Sequence, residues 1–231
     1  MSEAAINAVN NVRKVRAVLF DLDGTLIDSA PDLAGAANAL RAEHGLAALP
    51  YEQLRPMVGA GARGMVGVAF GVAPGEPRFE GLRDAFLARY EQGMLDRTCL
   101  FDGMHRLLSA LESAGIAWGI VTNKATRFAV PVAEGLGLSP RAGALVCGDT
   151  TAHAKPHPEP LWEAARRLGH APAECVYVGD DLRDVQAGRA AGMSTLIAAW
   201  GYLGQGDSIE AWGADAIINQ PDALLNWLDL A

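Results

Sequence analysis

Short apolar runs alternate with helically periodic segments along most of this chain, and that alternation restricts its fold more than any other feature. Ala17–Phe20, Ala117–Val121, Ala144–Cys147, Cys175–Val178, Thr195–Ala199 and Ala216–Ile218 read as strands with both faces apolar. Between them Met104–Ala114, Thr126–Gly135, Pro158–Leu168 and Leu182–Ala191 carry helical spacing. Strands that hide both faces and are separated by helices predict an α/β fold, a mainly parallel sheet covered on both sides. Ligands in such sheets bind beyond the carboxyl ends of the strands, so the residues that follow each strand are where chemistry is expected.

The alternation breaks once. From about Ser29 to Asp96 only helical stretches appear: Pro31–Glu43, Gly64–Phe70 and Phe79–Met94. In the last, Phe79, Leu82, Phe86, Leu87, Tyr90 and Met94 recur at three- and four-residue spacing and line one helix face. The expected organisation is a core from residues 1–28 and 97–231 with a helical insertion at 29–96. The glycine cluster Gly59–Gly64 reads as a flexible loop within that insertion.

A chain of 231 residues suits one large domain, or one domain carrying such an insertion. Its 19 basic against 27 acidic residues give a net charge of −8, which disfavours a nucleic-acid duplex or an anionic membrane surface as partner. The three cysteines are widely spaced, which indicates neither a disulfide framework nor a CxxC metal site, and a cytoplasmic location is expected. Met1–Lys14 lacks an apolar stretch and reads as a frayed arm rather than a signal peptide. A monomer or small homo-oligomer is expected.

Four strand ends carry polar groups. The first runs Phe20-Asp21-Leu22-Asp23-Gly24-Thr25, two carboxylates one residue apart, with a glycine that permits a tight exit. Val121 leads into Thr122-Asn123-Lys124, a hydroxyl and an amide beside a helix start, suited to anionic oxygens. Lys155-Pro156-His157-Pro158 places an ammonium in a proline-stiffened loop. Val178-Gly179-Asp180-Asp181-Leu182-Arg183-Asp184 gathers acids at another helix start, where capping alone is one explanation. Five carboxylates (Asp21, Asp23, Asp180, Asp181, Asp184) on one sheet edge would repel one another, and Mg²⁺, a hard cation for oxygen ligands, is the expected counter-charge. His153 and His157 have metal-pair spacing, but Pro156 prevents the helix that would align their rings.

In this order, Asp21-x-Asp23-Gly24-Thr25, Thr122, Lys155 and Gly179-Asp180-x-x-x-Asp184 resemble the four motifs of the haloacid dehalogenase-like hydrolases, over roughly Arg16 to the C-terminus. The resemblance implies a Rossmann-like doubly wound core with an inserted α-helical cap. It implies Asp21 as nucleophile forming an aspartyl-phosphate and Asp23 as general acid and base. Thr122 and Lys155 would stabilise the transferring phosphoryl group. Mg²⁺ would sit on the Asp21 carboxylate, the Asp23 carbonyl and the Asp180 carboxylate, with Asp184 and Asp181 in support.

More narrowly, Asp21–Leu33 and Lys155–Pro160 resemble the bacterial phosphoglycolate phosphatases, and 2-phosphoglycolate is the expected substrate. Asp181 and Ala125 depart from the usual Ser and Pro of that group. With Gly61-Ala62-Arg63 and Trp200-Gly201-Tyr202, the fourth motif resembles N-acetylmuramic acid 6-phosphate phosphatases. Asn123 and Arg63 are the expected substrate contacts, Arg63 offering a planar fork to a carboxylate. A phosphomutase resembling β-phosphoglucomutase and a non-enzymatic phosphoacceptor switch are the remaining alternatives.

Overall fold

A computed structural model describes residues 15–230; the Met1–Lys14 arm lies outside the described residues. The chain leaves β1 (Ala17–Phe20) into β2 (Ile27–Asp28). It then passes through α1 (Ala30–Glu43), α2 (Tyr51–Leu54), α3 (Gly61–Phe70) and α4 (Phe79–Gly93) and returns through β3 (Cys99–Leu100). The rest alternates: α5 (Met104–Ser113), β4 (Ala117–Val121), α6 (Thr126–Gly135), β5 (Ala144–Val146), α7 (Glu159–Leu168), β6 (Cys175–Gly179), α8 (Leu182–Ala191), β7 (Ser194–Ala198), β8 (Ala216–Ile218) and α9 (Ala223–Trp227).

Six strands form one parallel sheet in the order β5-β4-β1-β6-β7-β8. From β1 the chain winds outward through β4 and β5, then crosses back to place β6 on the other side of β1. That reversal opens a crevice beside the carboxyl end of β1, the place where such sheets bind ligands. Register sharpens the point: Phe20 pairs with Ile120 and with Val178, so β1, β4 and β6 end level with one another.

Burial explains the apolar runs. Val18 and Phe20 point to one face, against Leu107, Leu111, Ala129 and Val132 of α5 and α6; Ala17 and Leu19 point to the other, against Leu161, Ala164 and Ala187 of α7 and α8. Fully burying a side chain such as Phe20 contributes about 1.5–3 kcal/mol, so the central strand anchors both layers.

Helices α1–α4 pack around their own apolar cluster, which includes Leu33, Leu40, Leu54, Met65, Phe86 and Tyr90. The stripe expected on α4 is realised: Phe79, Leu82, Phe86 and Tyr90 are buried, with Leu87 and Met94 partly so. The helices join the sheet through a two-stranded antiparallel ribbon, Ile27 against Leu100 and Asp28 against Cys99. These strands are two residues each, too short to leave a periodic signal in the sequence. The Gly59–Gly64 expectation is corrected: Arg55–Ala60 is a 3₁₀ turn and α3 begins at Gly61. Gly64 is there for packing, because a Cβ would lie 2.4 Å from the Ala60 Cβ.

Among the described residues, no helix is long and apolar enough to cross a membrane. Cys99, Cys147 and Cys175 are free thiols.

Candidate active site

Asp21 follows β1 and Asp180 follows β6, and the level ends of those strands bring their carboxylates together with that of Asp184 from the first turn of α8. Ligand oxygens of the three lie within 4.8 Å of one another. Lys155, from the loop before α7, enters this cluster: Nζ lies 2.9 Å from Asp21 Oδ1 and donates to Asp184 Oδ1 at 2.7 Å, to the Tyr177 hydroxyl at 2.6 Å and to Val121 O at 3.0 Å. All four groups are buried or nearly so, with Lys155 5 % and Asp180 3 % exposed. Asp180 accepts from Thr25 Oγ1 at 3.1 Å and from the Tyr202 amide at 2.7 Å. Gly24 permits this approach: its φ is +87°, and a Cβ there would sit 2.2 Å from Asp180 Oδ2.

The other two acids are committed elsewhere, which corrects the expectation of five uncompensated carboxylates. Asp23 accepts from Lys124 Nζ at 3.0 and 3.2 Å and from the Ser29 hydroxyl. Asp181 caps α8, accepting from the Arg183 amide at 2.9 Å, and is gripped by the Arg183 guanidinium at 2.7 and 2.9 Å. The Asp181 amide donates to Asp184 Oδ2 at 3.0 Å, so the acids at this helix start do form a capping box.

The remaining set is three carboxylates around one ammonium, which leaves two negative charges uncompensated. Burial pushes Asp21 up to about 7; Lys155 opposes this, and Asp184 and Asp23 reinforce it. Burial also raises Asp180 well above the carboxylate range, with Asp21 and Asp184 adding to the effect. Burial alone would lower Lys155, but Asp184 and Asp21 outweigh it and keep the ammonium charged. Asp21 Oδ1 is buried without a well-aligned hydrogen-bond partner. An all-oxygen set, two uncompensated negative charges and a buried carboxylate oxygen without an aligned hydrogen bond fit a hard divalent cation.

Thr122, 3 % exposed, follows β4, and its Oγ1 accepts from the Lys124 amide at 3.1 Å. With Asp21, Asp23, Lys155 and Asp180 it lines a cavity of about 360 Å³. The opposite wall comes from the helical insertion: Leu33, Val58–Ala62, Phe86, Leu87 and Tyr90.

Two expected substrate contacts are placed differently. Arg63 is exposed and lies outside the cavity lining, although Gly59–Ala62 just before it form part of the wall, because the first turn of α3 carries its side chain away. Asn123 sits at the rim, but both ends of its amide engage the Lys155 main chain. Lys124, Tyr90, Tyr177 and Arg183 also belong to the site; Lys124 meets Asp23, Tyr177 meets Lys155 and Arg183 meets Gly59 O only in the folded chain, so those contacts leave no local signal. His153 and His157 stack at 4.3 Å with Glu159 beside them on an exposed turn, so the chain brings the rings together without the helix whose absence argued against it.

A family model described as haloacid dehalogenase-like hydrolase matches residues 15–192. The chain is 44 % identical over 218 residues to an N-acetylmuramic acid 6-phosphate phosphatase of Pseudomonas aeruginosa, spanning 94 % of this chain and 96 % of that one. It is 49 % identical over 214 residues to a phosphoglycolate phosphatase of Xanthomonas campestris, spanning 92 % and 96 %. A crystal structure of a predicted phosphoglycolate phosphatase from Haemophilus somnus superposes with a TM-score of 0.83 at 25 % identity, covering 94 % of this chain and 99 % of the other.

Proposed function

The chain belongs to the haloacid dehalogenase-like hydrolases, and from that premise we propose that it is a Mg²⁺-dependent phosphatase of small phosphomonoesters whose substrate is 2-phosphoglycolate. The observation that carries this reading is the buried Asp21 carboxylate, with one oxygen lacking an aligned partner, facing a cavity that also holds Thr122 and Lys155. Asp21 attacks phosphorus as the ester P–O bond breaks, giving an aspartyl-phosphate and the alkoxide. Asp23 protonates that alkoxide, then takes a proton from the water that hydrolyses the acyl phosphate. Thr122 and Lys155 hold the non-bridging oxygens through both transfers. Asn123 positions Lys155, Lys124 orients Asp23, and residues 29–96 cap the cavity against water. Asp21 and Asp180, supported by Asp184, would hold Mg²⁺, which when bound neutralises the phosphoryl oxygens and the acids that face them.

N-acetylmuramic acid 6-phosphate is the second reading, favoured by the cavity. At about 360 Å³, walled by Leu33, Val58, Phe86 and Leu87, it is larger than a two-carbon leaving group fills and within the range that accommodates whole drug-sized ligands. Comparing kcat/KM for the two esters with Mg²⁺ present decides between them. Phosphate release well beyond one equivalent of protein excludes a phosphoacceptor switch, and release of free phosphate instead of an isomerised ester excludes a mutase. Equal release in EDTA, or undiminished release by Asp21→Asn, would overturn the mechanism.

A further inference from the structure

Tyr90 carries a hydroxyl whose proton the packing of the protein does not use. The residue lies on α4, is 2 % exposed and lines the cavity near Asp23 and Lys124. Its ring is well occupied: Lys124 Nζ lies 4.7 Å from the ring centroid, and the Phe128 ring stands 5.6 Å away. Those contacts would be met equally by phenylalanine. The hydroxyl, by contrast, is buried, and although Lys124 stands beside it, its proton has no acceptor among the described residues. A buried hydroxyl left in that state loses its water without return, and a ligand that supplies the partner recovers the loss.

The neighbouring cations cannot accept its proton, since an ammonium or guanidinium offers no lone pair, and each is itself paired with a carboxylate. Lys155 is held by Asp21 and Asp184, Lys124 by Asp23 and Arg183 by Asp181. Burial raises the phenol above its ordinary range, with Lys124 opposing, so Tyr90 borders the cavity as a neutral donor. Resting on the phosphatase reading above, we propose that Tyr90 is a specificity-determining residue that donates a hydrogen bond to an oxygen of the leaving group, selecting phosphomonoesters whose alcohol portion carries a carboxylate, hydroxyl or amide oxygen. A neutral donor serves all three acceptors, the chemistry that glycolate and a muramic acid share.

The test compares wild type and Tyr90→Phe, with Mg²⁺, on 2-phosphoglycolate, N-acetylmuramic acid 6-phosphate and phenyl phosphate, whose leaving group has no second oxygen. The expected result is that kcat/KM on the better oxygen-bearing ester, divided by kcat/KM on phenyl phosphate, falls about tenfold in the variant, the order of one hydrogen bond. Thermal stability of the ligand-free variant is expected to hold or rise, because an unsatisfied group has been removed. An unchanged ratio, or a variant that loses stability and all three activities in parallel, overturns the proposal. If wild type releases phosphate from none of the three esters, the phosphatase reading itself fails, a result distinct from an unchanged ratio.

Discussion

Asn123 and Lys155 hold each other across the crevice: the Asn123 Nδ2 donates to Lys155 O at 2.9 Å, and its Oδ1 accepts from Lys155 N at 2.9 Å. One amide thereby fixes the main chain of the residue whose ammonium enters the acidic cluster. Asn123→Ala is expected to lower kcat about tenfold and to cost about 1–2 kcal/mol of stability for two hydrogen bonds. Steady-state kinetics with urea denaturation checks this; a normal kcat would show that the Lys155 loop holds itself.

Lys155 is the ammonium within the three-acid cluster, so its removal has two consequences. In Lys155→Met, Asp21 and Asp184 face each other without compensation, and metal-free stability should drop by about 3–5 kcal/mol, the range for breaking one side of a buried pair. Phosphate release should be lost with it. Mg²⁺ added to the variant is expected to recover part of the stability and none of the activity.

The position of Asp21 predicts how stability depends on pH. Its carboxyl is raised from 3.8 to about 7 in the folded protein, so between those values the native state binds the proton that the unfolded chain releases. Its contribution to metal-free stability therefore falls as pH rises through that window. Asp21→Asn should flatten this slope and be the more stable protein at pH 8 in EDTA. Mg²⁺, which needs the ionised carboxylate, should stabilise wild type more at pH 8 than at pH 5. Melting curves with and without Mg²⁺ test both statements, and identical slopes for the two proteins would remove Asp21 as the cause.

Gly24→Ala places a Cβ 2.2 Å from Asp180 Oδ2 at a φ of +87°. The backbone strain alone costs about 1–3 kcal/mol, and the displaced carboxylate should weaken Mg²⁺ activation. A titration of activity against Mg²⁺ is expected to shift to higher concentration; an unchanged midpoint would show that Asp180 moves without consequence.

Arg63 and Arg183 offer a contrast. Arg63 is exposed and outside the cavity lining, so Arg63→Ala should leave kcat/KM within about twofold and stability within about 0.5 kcal/mol. Arg183 lines the cavity, pairs with Asp181 and donates to Gly59 O of the helical insertion. Arg183→Ala should lower kcat/KM at least tenfold. A reversed order in the kinetics of the two variants would restore Arg63 as the substrate contact.

Much of the architecture is legible in the sequence because its causes are local. Strand apolarity follows from burial on both faces, helix spacing from the 3.6-residue turn, and the two periods alternate cleanly from Met104 onward. The α4 stripe and the order of the four motifs are legible for the same reason. The ribbon of Ile27–Asp28 with Cys99–Leu100 is not, since two-residue strands have no period and their partners lie some seventy residues apart.

The sequence by itself determined the kind of sheet, the helical insertion after the first strand, and the edge at which Asp21, Thr122, Lys155 and Asp180 gather. Tertiary structure alone decided how charge is distributed there. Lys124 neutralises Asp23 across 101 positions, and Asp21, Asp180 and Asp184 remain around Lys155. It also turned Arg63 outward, gave Asn123 to the Lys155 loop and set Tyr90 in the cavity wall. Periodicity and turn chemistry act over a few residues and are written locally, whereas which acid meets which cation depends on distances of a few ångströms that exist only after distant strands have paired.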